Sequence, residues 1–470
     1  MSENLANEPV VFPLRGGRGS VALHAGGFRY PSGFGRERFV AYADLTHLAI
    51  GSRALRIGAR SGVVVLPRSH FREPAAADAL ARTLVARVAA EPGGSVQLAR
   101  MAEIEEMLRV PVTPWVTRVL VIACVAAFAL ELGLGPVVHH AGFLNSALAM
   151  GGEPWRLFTA NLLHADGIHL GLNMLGLAII GSLVERMLGS ARTAFIAGLS
   201  ALGATVAGLV MGYEALVGAS GIVTGLFGAL LWIELRHPDR LPATWRIPRR
   251  VLWTALVLQG LLDWSVPFIA GASHIGGLLA GMLAAALATG PGLRREPLAP
   301  ALRMASALIA VVAAASIVSA ARIVLGGSAI ESHAARLLDL EGLPAQVLND
   351  AAWLIATGRD ATRPALDRAD ELAERAVSET DRMDPNMLDT LAEVQFQRGD
   401  AQAAVETIDE AIALAPEVAY FREQRRRFEG ERARDDRPEP PDPFEVAPRR
   451  PEPPRHAPAT FDRETPGIDI

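Results

Sequence analysis

Seven stretches of this chain are apolar over about 20 residues each, the length that crosses a bilayer core of roughly 30 Å, and this pattern constrains the fold more than any motif does. They fall at residues 116–134, 169–187, 193–211, 219–235, 251–268, 271–288 and 304–325. Hydrocarbon offers no partner to an exposed N–H or C=O, so the stretches are read as helices of a mainly α, polytopic membrane protein. Composition agrees: 50% of the 470 residues are hydrophobic, 20% are charged and the mean hydropathy is +0.26. The apolar residues concentrate in the middle of the chain, which leaves soluble regions at both ends. A net charge of −5 gives no footing for a nucleic-acid partner, and the single cysteine, Cys124, sits inside an apolar run with no disulfide partner. The first residues, 1–13, show neither a basic start nor an apolar core, so the first span is expected to target the chain.

Orientation follows from the arginines. The segment between the fourth and fifth spans carries Arg236, Arg240, Arg246, Arg249 and Arg250, and the one before the last span carries Arg294, Arg295 and Arg303. The positive-inside rule makes both cytoplasmic, which puts the N-terminus in the cytoplasm and the C-terminal region outside. The same assignment brings the starts of the second, fourth and sixth spans to the outer face. His169, Ser220 and His274 stand at those starts.

A strongly polar side chain within a span is costly and is usually paired or functional. Ser220 lies in Gly218-Ala219-Ser220-Gly221 and His274 in Ser273-His274-Ile275-Gly276-Gly277. A serine and a histidine at matching depth suggest a nucleophile and its base. Clusters of small residues also occur simply because they let helices approach, and Gly221 with Gly225 and Gly277 with Gly281 form two GxxxG pairs that suit close packing of the fourth and sixth spans. His169 and Asn173 share one face of the second span.

These motifs, in this order, resemble the rhomboid intramembrane serine proteases: Glu153-Pro154-Trp155-Arg156-Leu157-Phe158-Thr159, then His164, His169 and Asn173, then Glu185-Arg186-Met187-Leu188-Gly189-Ser190, then 218–221 and 274–277. The resemblance covers roughly residues 114–288. It implies a six-helix core with a seventh helix appended and a long first outer loop in which Trp155 and Arg156 lie. It further implies catalysis by a Ser220–His274 dyad, oxyanion donors at His169, Asn173 and the Ser220 N–H, and a polar cavity that includes His164 and Gly218. The implied substrates are other proteins' transmembrane segments, cut without cofactor or metal. The location implied is a bacterial inner (plasma) membrane.

Two departures matter. The family often carries Glu-x-Arg after the second span, whereas Glu185-Arg186-Met187 stands here, so the bracing of the first outer loop is altered or uses Arg186. An aromatic residue often follows the serine by four positions, whereas Thr224 stands here, and its hydroxyl is a candidate to orient His274. No acidic third member is assigned; Asp166 and Asp263 are the nearest in topology.

The ends carry weaker signals. Short alternating runs such as Phe39-Val40-Ala41-Tyr42 and Gly62-Val63-Val64-Val65-Leu66, followed by one helix at 75–90, resemble a small pleckstrin-homology-like (PH-like) α+β domain. Segments 349–376 and 386–416 read as helix pairs and resemble tetratricopeptide (TPR) repeats, with 333–348 as a further packing helix. The expected domains are therefore 1–95 (PH-like, cytoplasmic), 112–290 (core), 300–327 (seventh span), 331–432 (TPR-like, with a protein partner or as a cap) and 433–470 (Pro-rich disordered tail). The sequence is compatible with three functions: an active protease, a catalytically silent relative that scaffolds membrane proteins, and a metal site in His164-Ala165-Asp166-Gly167-Ile168-His169, which lacks further ligands.

Overall fold

The computed structural model describes residues 9–32, 36–109, 112–242, 244–266, 269–290, 293, 297–326, 328–358 and 361–438. The chain divides into two compact units, Met1–Leu325 and Gly326–Ile470.

The first unit opens with two antiparallel sheets. Strands β1 (Val10–Pro13), β2 (Ser20–Leu23), β3 (Gly27–Ser32) and β4 (Arg36–Ala41) pair in chain order; β5 (Leu45–Ile50), β6 (Ala54–Ala59) and β7 (Gly62–Pro67) form the second sheet. Alternation sets the inner faces: Val21 and Leu23, Leu55 and Ile57, and Val64 and Leu66 are buried. Helix α1 (Ala76–Ala90) lays Leu80, Leu84 and Val88 on this core at helical spacing. A second helix, α2 (Gly94–Arg109), also belongs here, so the expectation of one closing helix and an end at residue 95 is corrected. Its Met101 joins the core, and Gln97 Nε2 donates to Tyr42 O at 2.7 Å and Leu45 O at 3.0 Å, where one sheet gives way to the other.

The apolar region follows as α3 (Trp115–Leu134), three short helices α4 (Val137–Gly142), α5 (Ser146–Met150) and α6 (Arg156–Thr159), then α7 (Gly167–Gly176) and α8 (Ser182–Leu188) joined through a π-helical turn at Leu177–Gly181. After these come α9 (Ser190–Val210), α10 (Ser220–Arg236), α11 (Arg249–Ser265), α12 (Gly271–Ala288) and α13 (Pro300–Val324). Among the described residues, five segments are long and apolar enough to span a bilayer: Trp115–Leu134, Gly167–Leu188, Ser190–Val210, Gly271–Ala288 and Pro300–Val324. The other two expected spans are helices of 17 residues each, with Glu234 and Arg236 closing α10 and Arg249 and Arg250 opening α11. The burial pattern is that of a protein in lipid. On α12, Ile275, Leu279, Leu283 and Leu287 form an outward stripe, each more than half exposed, while Ser273, His274, Gly277 and Gly281 face inward. Large apolar residues outside and small or polar ones inside reverse the order of a water-soluble helix. The protein is a multi-pass integral membrane protein.

Glycine fixes how closely the central helices meet. A Cβ at Gly281 would collide with Gly225 O, one at Gly277 with Gly221 O, and one at Gly221 with the Ala204 side chain of α9. The two GxxxG pairs thus face each other, and the α10 and α12 backbones touch.

The N-terminal sheets and helices rest on the α10–α11 connection. Arg240 donates to Glu103 of α2 at 2.9 Å, and Arg60 pairs with Asp239 at 3.3 Å.

The second unit contains α14 (Ser328–Asp339), α15 (Ala345–Ala356), α16 (Arg363–Glu379), α17 (Pro385–Arg398), α18 (Ala401–Leu414) and α19 (Ala419–Phe428). Small residues line the packing faces, among them Ala369, Ala373 and Ala376 of α16 and Ala404 and Ala411 of α18. A buried polar network joins α17 to α19: Arg427 pairs with Glu393, while Tyr420 Oη and Gln424 Nε2 donate to Asp389 at 3.0 and 3.1 Å. Residues 433–438, expected as part of the tail, are instead held on the helices: Arg434 reaches Gln397 O at 3.1 Å and Arg437 reaches Glu393 at 2.9 Å. The remainder of that expectation, 439–470, lies outside the described residues.

Two predictions follow from this packing. Gly281→Val should destabilise the folded chain by about 1–3 kcal/mol, the usual cost of overpacking, read as a lower thermal midpoint in detergent. An unchanged midpoint would contradict the backbone contact. In the second unit, burial and then the nearby Glu393 charge push the Asp389 carboxyl up to about 7 from 3.8. A raised carboxyl contributes stability below its unfolded value that is lost as pH rises through the folded one, so this unit should weaken between about pH 4 and 7. Asp389→Asn should flatten that dependence in a pH series of unfolding curves.

Candidate active site

Ser220 is the first residue of α10, and the turn before it is held from outside by the segment that follows α3. Leu144 and Leu216 exchange backbone hydrogen bonds of 3.0 and 2.9 Å, Gly218 N–H donates to Ala160 O at 2.9 Å, and Asn145 Nδ2 donates to Glu214 O at 2.8 Å. Gly218 has φ +121, a left-handed value that favours glycine, and a Cβ there would lie 2.8 Å from the His169 ring. The segment owes its shape to Arg156, which is fully buried. Its guanidinium pairs with Glu153 at 2.6 Å, donates to His140 O and Phe143 O at 2.8 Å each, and lies over the Phe143 ring. The contacts use both Nε and Nη2 on the carboxylate and Nη1 on two carbonyls, more N–H donors than the three of a lysine. Trp155 Nε1 donates to Ala141 O at 3.2 Å and ties down the same turn.

His274 meets Ser220 across the α10–α12 contact, with Nε2 2.9 Å from the hydroxyl oxygen. The other ring nitrogen, Nδ1, lies 2.8 Å from Asp263 Oδ1 of α11, and Gln259 Nε2 donates to the same carboxylate oxygen at 2.8 Å. An ionised carboxylate only accepts, so this contact keeps the proton on Nδ1 and leaves the Nε2 lone pair for the Ser220 hydroxyl. Hydroxyl, imidazole and carboxylate form a continuous chain in which the hydroxyl proton has a receiver. The histidine and aspartate side chains are 10% and 13% exposed, which strengthens their interaction over its value in water.

His169 sits beside this pair. The Ala165 N–H points at its Nδ1 from 3.5 Å, which favours the tautomer with the proton on Nε2, the edge that faces Gly218. Asn173 is buried and uses one amide N–H on His169 O at 2.9 Å, which leaves the second. His164 is fully buried with its ring edge-on to His169, centroids 5.1 Å apart; burial first, and then the neighbouring histidine, push its imidazole down to about 4, so it is neutral at pH 7. Asp166 caps α7, accepting from His169 N–H at 2.8 Å. Among the described residues no group of three or more His, Cys, Asp and Glu is arranged to hold a metal ion.

The family model described as Rhomboid domain matches residues 151–290. The chain carries a rhomboid domain. Over 142 residues it is 36% identical to Rhomboid protease GluP of Bacillus subtilis (strain 168), a match that covers 30% of this chain and 27% of that protein. It is 35% identical over 162 residues to RHOMBOID-like protein 6, mitochondrial, of Arabidopsis thaliana, covering 32% and 49% of the two chains. Rhomboid protease GlpG of Pectobacterium atrosepticum is 32% identical over 133 residues, covering 28% and 47%. The match thus spans about a quarter of the first relative's length and about half of the other two.

Within the rhomboid domain the sequence departures take definite form. Glu185 is fully buried and accepts from Val116 N–H at 2.9 Å, Thr117 N–H at 3.0 Å and the Thr117 and Ser190 hydroxyls. It caps the start of α3, at the opposite end of that helix from the segment 135–166. Arg186 is exposed, so its expected bracing of that segment is not met; Arg156 braces it from within, and Met187 is core. Thr224 does not orient His274. Its hydroxyl donates to Gly221 O at 3.1 Å, and both imidazole nitrogens already have partners in Ser220 and Asp263.

Sequence reasoning left Asp263 unassigned and passed over Gln259 and Asn145. Gln259 and Asp263 stand four apart on an otherwise apolar helix, so they share a face, and that polar pair was the available signal. Asn145 gave only the signal of a helix cap: its Oδ1 accepts from Leu148 N–H at 3.0 Å at the start of α5, while the hold of its amide on Glu214 O depends on a turn distant in sequence. Beside His274 lies a cavity of roughly 480 Å³ whose walls include Ile180, Val223, Phe227, Leu256, Trp264 and Leu278.

Thr224→Val should leave the rate of Ser220 labelling by a fluorophosphonate within about twofold of the parent. A hydrogen bond to the imidazole, worth about 0.5–1.5 kcal/mol, would show on removal as a several-fold slower rate.

Proposed function

We propose that the protein is an intramembrane serine endopeptidase that cuts other proteins in or near their transmembrane segments. The observation that carries this reading is the 2.9 Å contact between Ser220 Oγ and His274 Nε2 inside a helical domain of the rhomboid family. In this mechanism Ser220 attacks the scissile carbonyl as His274 takes its proton, and the imidazolium then protonates the leaving amine. The acyl-enzyme is released by a water activated through the same nitrogen. The tetrahedral oxyanion forms near the start of α10, where the Ser220 N–H, the positive end of the helix and the Nε2–H edge of His169 converge, with the free Asn173 N–H behind them. Polar groups fixed in advance stabilise that charge without reorganisation.

The cavity beside His274 supports a substrate that is itself apolar, because its walls are mostly aliphatic and aromatic. In the proposed topology the N-terminal region is cytoplasmic and the second unit lies outside, in a bacterial inner membrane. The contacts of Arg240 with Glu103 and of Arg60 with Asp239 support that orientation by keeping the N-terminal sheets on the face of the arginine-rich connection. We read the N-terminal sheets with α1 and α2 as a PH-like domain. The α14–α19 unit is read as TPR-like, with a protein partner as its ligand; α17 and α19 start at Pro385 and Ala419, one repeat of about 34 residues apart.

The test is cleavage of a model single-span substrate in lipid vesicles. Ser220→Ala and His274→Ala should each lower turnover by about 10³-fold or more. Equal cleavage by the parent and Ser220→Ala, or none by either in several lipids, would sink the protease reading and leave a scaffold.

A further inference from the structure

We infer that Asp263 is a positioning residue for His274, which makes the catalytic group of this chain a serine–histidine–aspartate triad rather than a dyad. The inference rests on reading Ser220 and His274 as nucleophile and base. Three observations carry it. Asp263 Oδ1 lies 2.8 Å from Nδ1, the nitrogen that the base does not use on the serine. Gln259, one turn earlier on α11, donates to that oxygen at 2.8 Å and so fixes the carboxylate that fixes the ring. The approach is also built into the partner helix: a Cβ on Gly271, the first residue of α12, would stand 3.0 Å from Asp263 Cβ, closer than carbons ordinarily pack.

The placement on α11 is equally telling. Leu261, Leu262 and Trp264 are 52%, 52% and 85% exposed and face outward, while the Asp263 side chain between them turns in to 13%. A carboxylate on an apolar helix is costly unless a partner holds it, and the partner here is the imidazole. Asp263 acts on the reaction in two ways. It holds the tautomer whose Nε2 is free to accept the serine proton, and it faces the imidazolium once that proton has moved, so charge is transferred without being stranded in a site of low dielectric. No bond to Asp263 forms or breaks.

The experiment uses the full chain in vesicles with a single-span fluorogenic substrate, comparing the parent, Ser220→Ala, Asp263→Asn and Asp263→Glu. Asp263→Asn should lower kcat by about 10²–10⁴-fold with little change in KM, because the amide can donate to Nδ1 and lock the wrong tautomer. Asp263→Glu should recover at least about tenfold of that loss, as it restores an accepting carboxylate. Independently of turnover, ¹⁵N histidine spectra of the folded parent should report His274 protonated at Nδ1, and those of Asp263→Asn a gain of the Nε2-protonated form. A kcat in Asp263→Asn within about threefold of the parent overturns the inference. So does an unchanged His274 tautomer, or an equal loss in both variants together with a lowered thermal midpoint, which marks a packing role. If the parent and Ser220→Ala are alike inactive, it is the protease reading that fails, and the tautomer spectra still decide on Asp263.

Discussion

The backbone contact between α10 and α12 is the constraint on which the site depends. Ser220 and His274 belong to different helices 54 residues apart in sequence, and their side chains are short, so they meet only where the helix axes come unusually close. Gly221, Gly225, Gly277 and Gly281 provide that approach by presenting no side chain, and Ala204 and Ser200 of α9 fill the space behind them. In a bilayer no hydrophobic gain drives helices together, since lipid is as apolar as leucine. Close packing over small residues does so instead, and here the same contact sets the distance between hydroxyl and imidazole.

Segment 135–166 answers a different problem, which is to hold the non-helical turn before Ser220 rigidly. Its solution is a buried arginine. Arg156 binds one carboxylate and two carbonyls at once, and the fold of 135–166 that results offers Leu144 and Ala160 as backbone partners to the turn before Ser220. Glu185 does the equivalent at the other end of α3, using one carboxylate to close the first N–H groups of that helix. Arg156 and Glu185 each satisfy backbone groups that lipid would leave bare, which offsets the cost of burying their charge.

Much of this was legible in the sequence because it depends on local composition. The apolar runs place the helices to within a few residues, the glycine pairs on α10 and α12 mark the close contact, and alternation in 21–66 marks strands. The span count was less legible, because α10 and α11 have 17 residues each and carry charges at their ends, and the place of such helices is set by their neighbours rather than by their own hydropathy. The misreadings share one cause. Thr224 and Arg186 were assigned roles from their position in a motif, yet a threonine hydroxyl on a helix readily bonds its own backbone, and an arginine at a helix end reaches only what lies on its own side of the membrane. The single closing helix of the N-terminal domain failed likewise, since α2 carries too few apolar residues to announce that one face is buried.

By itself the sequence determined the solvent of the protein, the positions of its helices and the residue types able to form a nucleophile and base, because hydropathy, glycine spacing and titratable side chains are properties of the chain read along its length. Tertiary structure alone decided which polar groups meet. Asp263 reaches His274, and Glu185 turns to the start of α3, only because α11 and α3 are docked as they are. Such encounters depend on the relative rotation of helices distant in sequence, and a side chain 100° further round the same helix would have carried the same letters to a different partner.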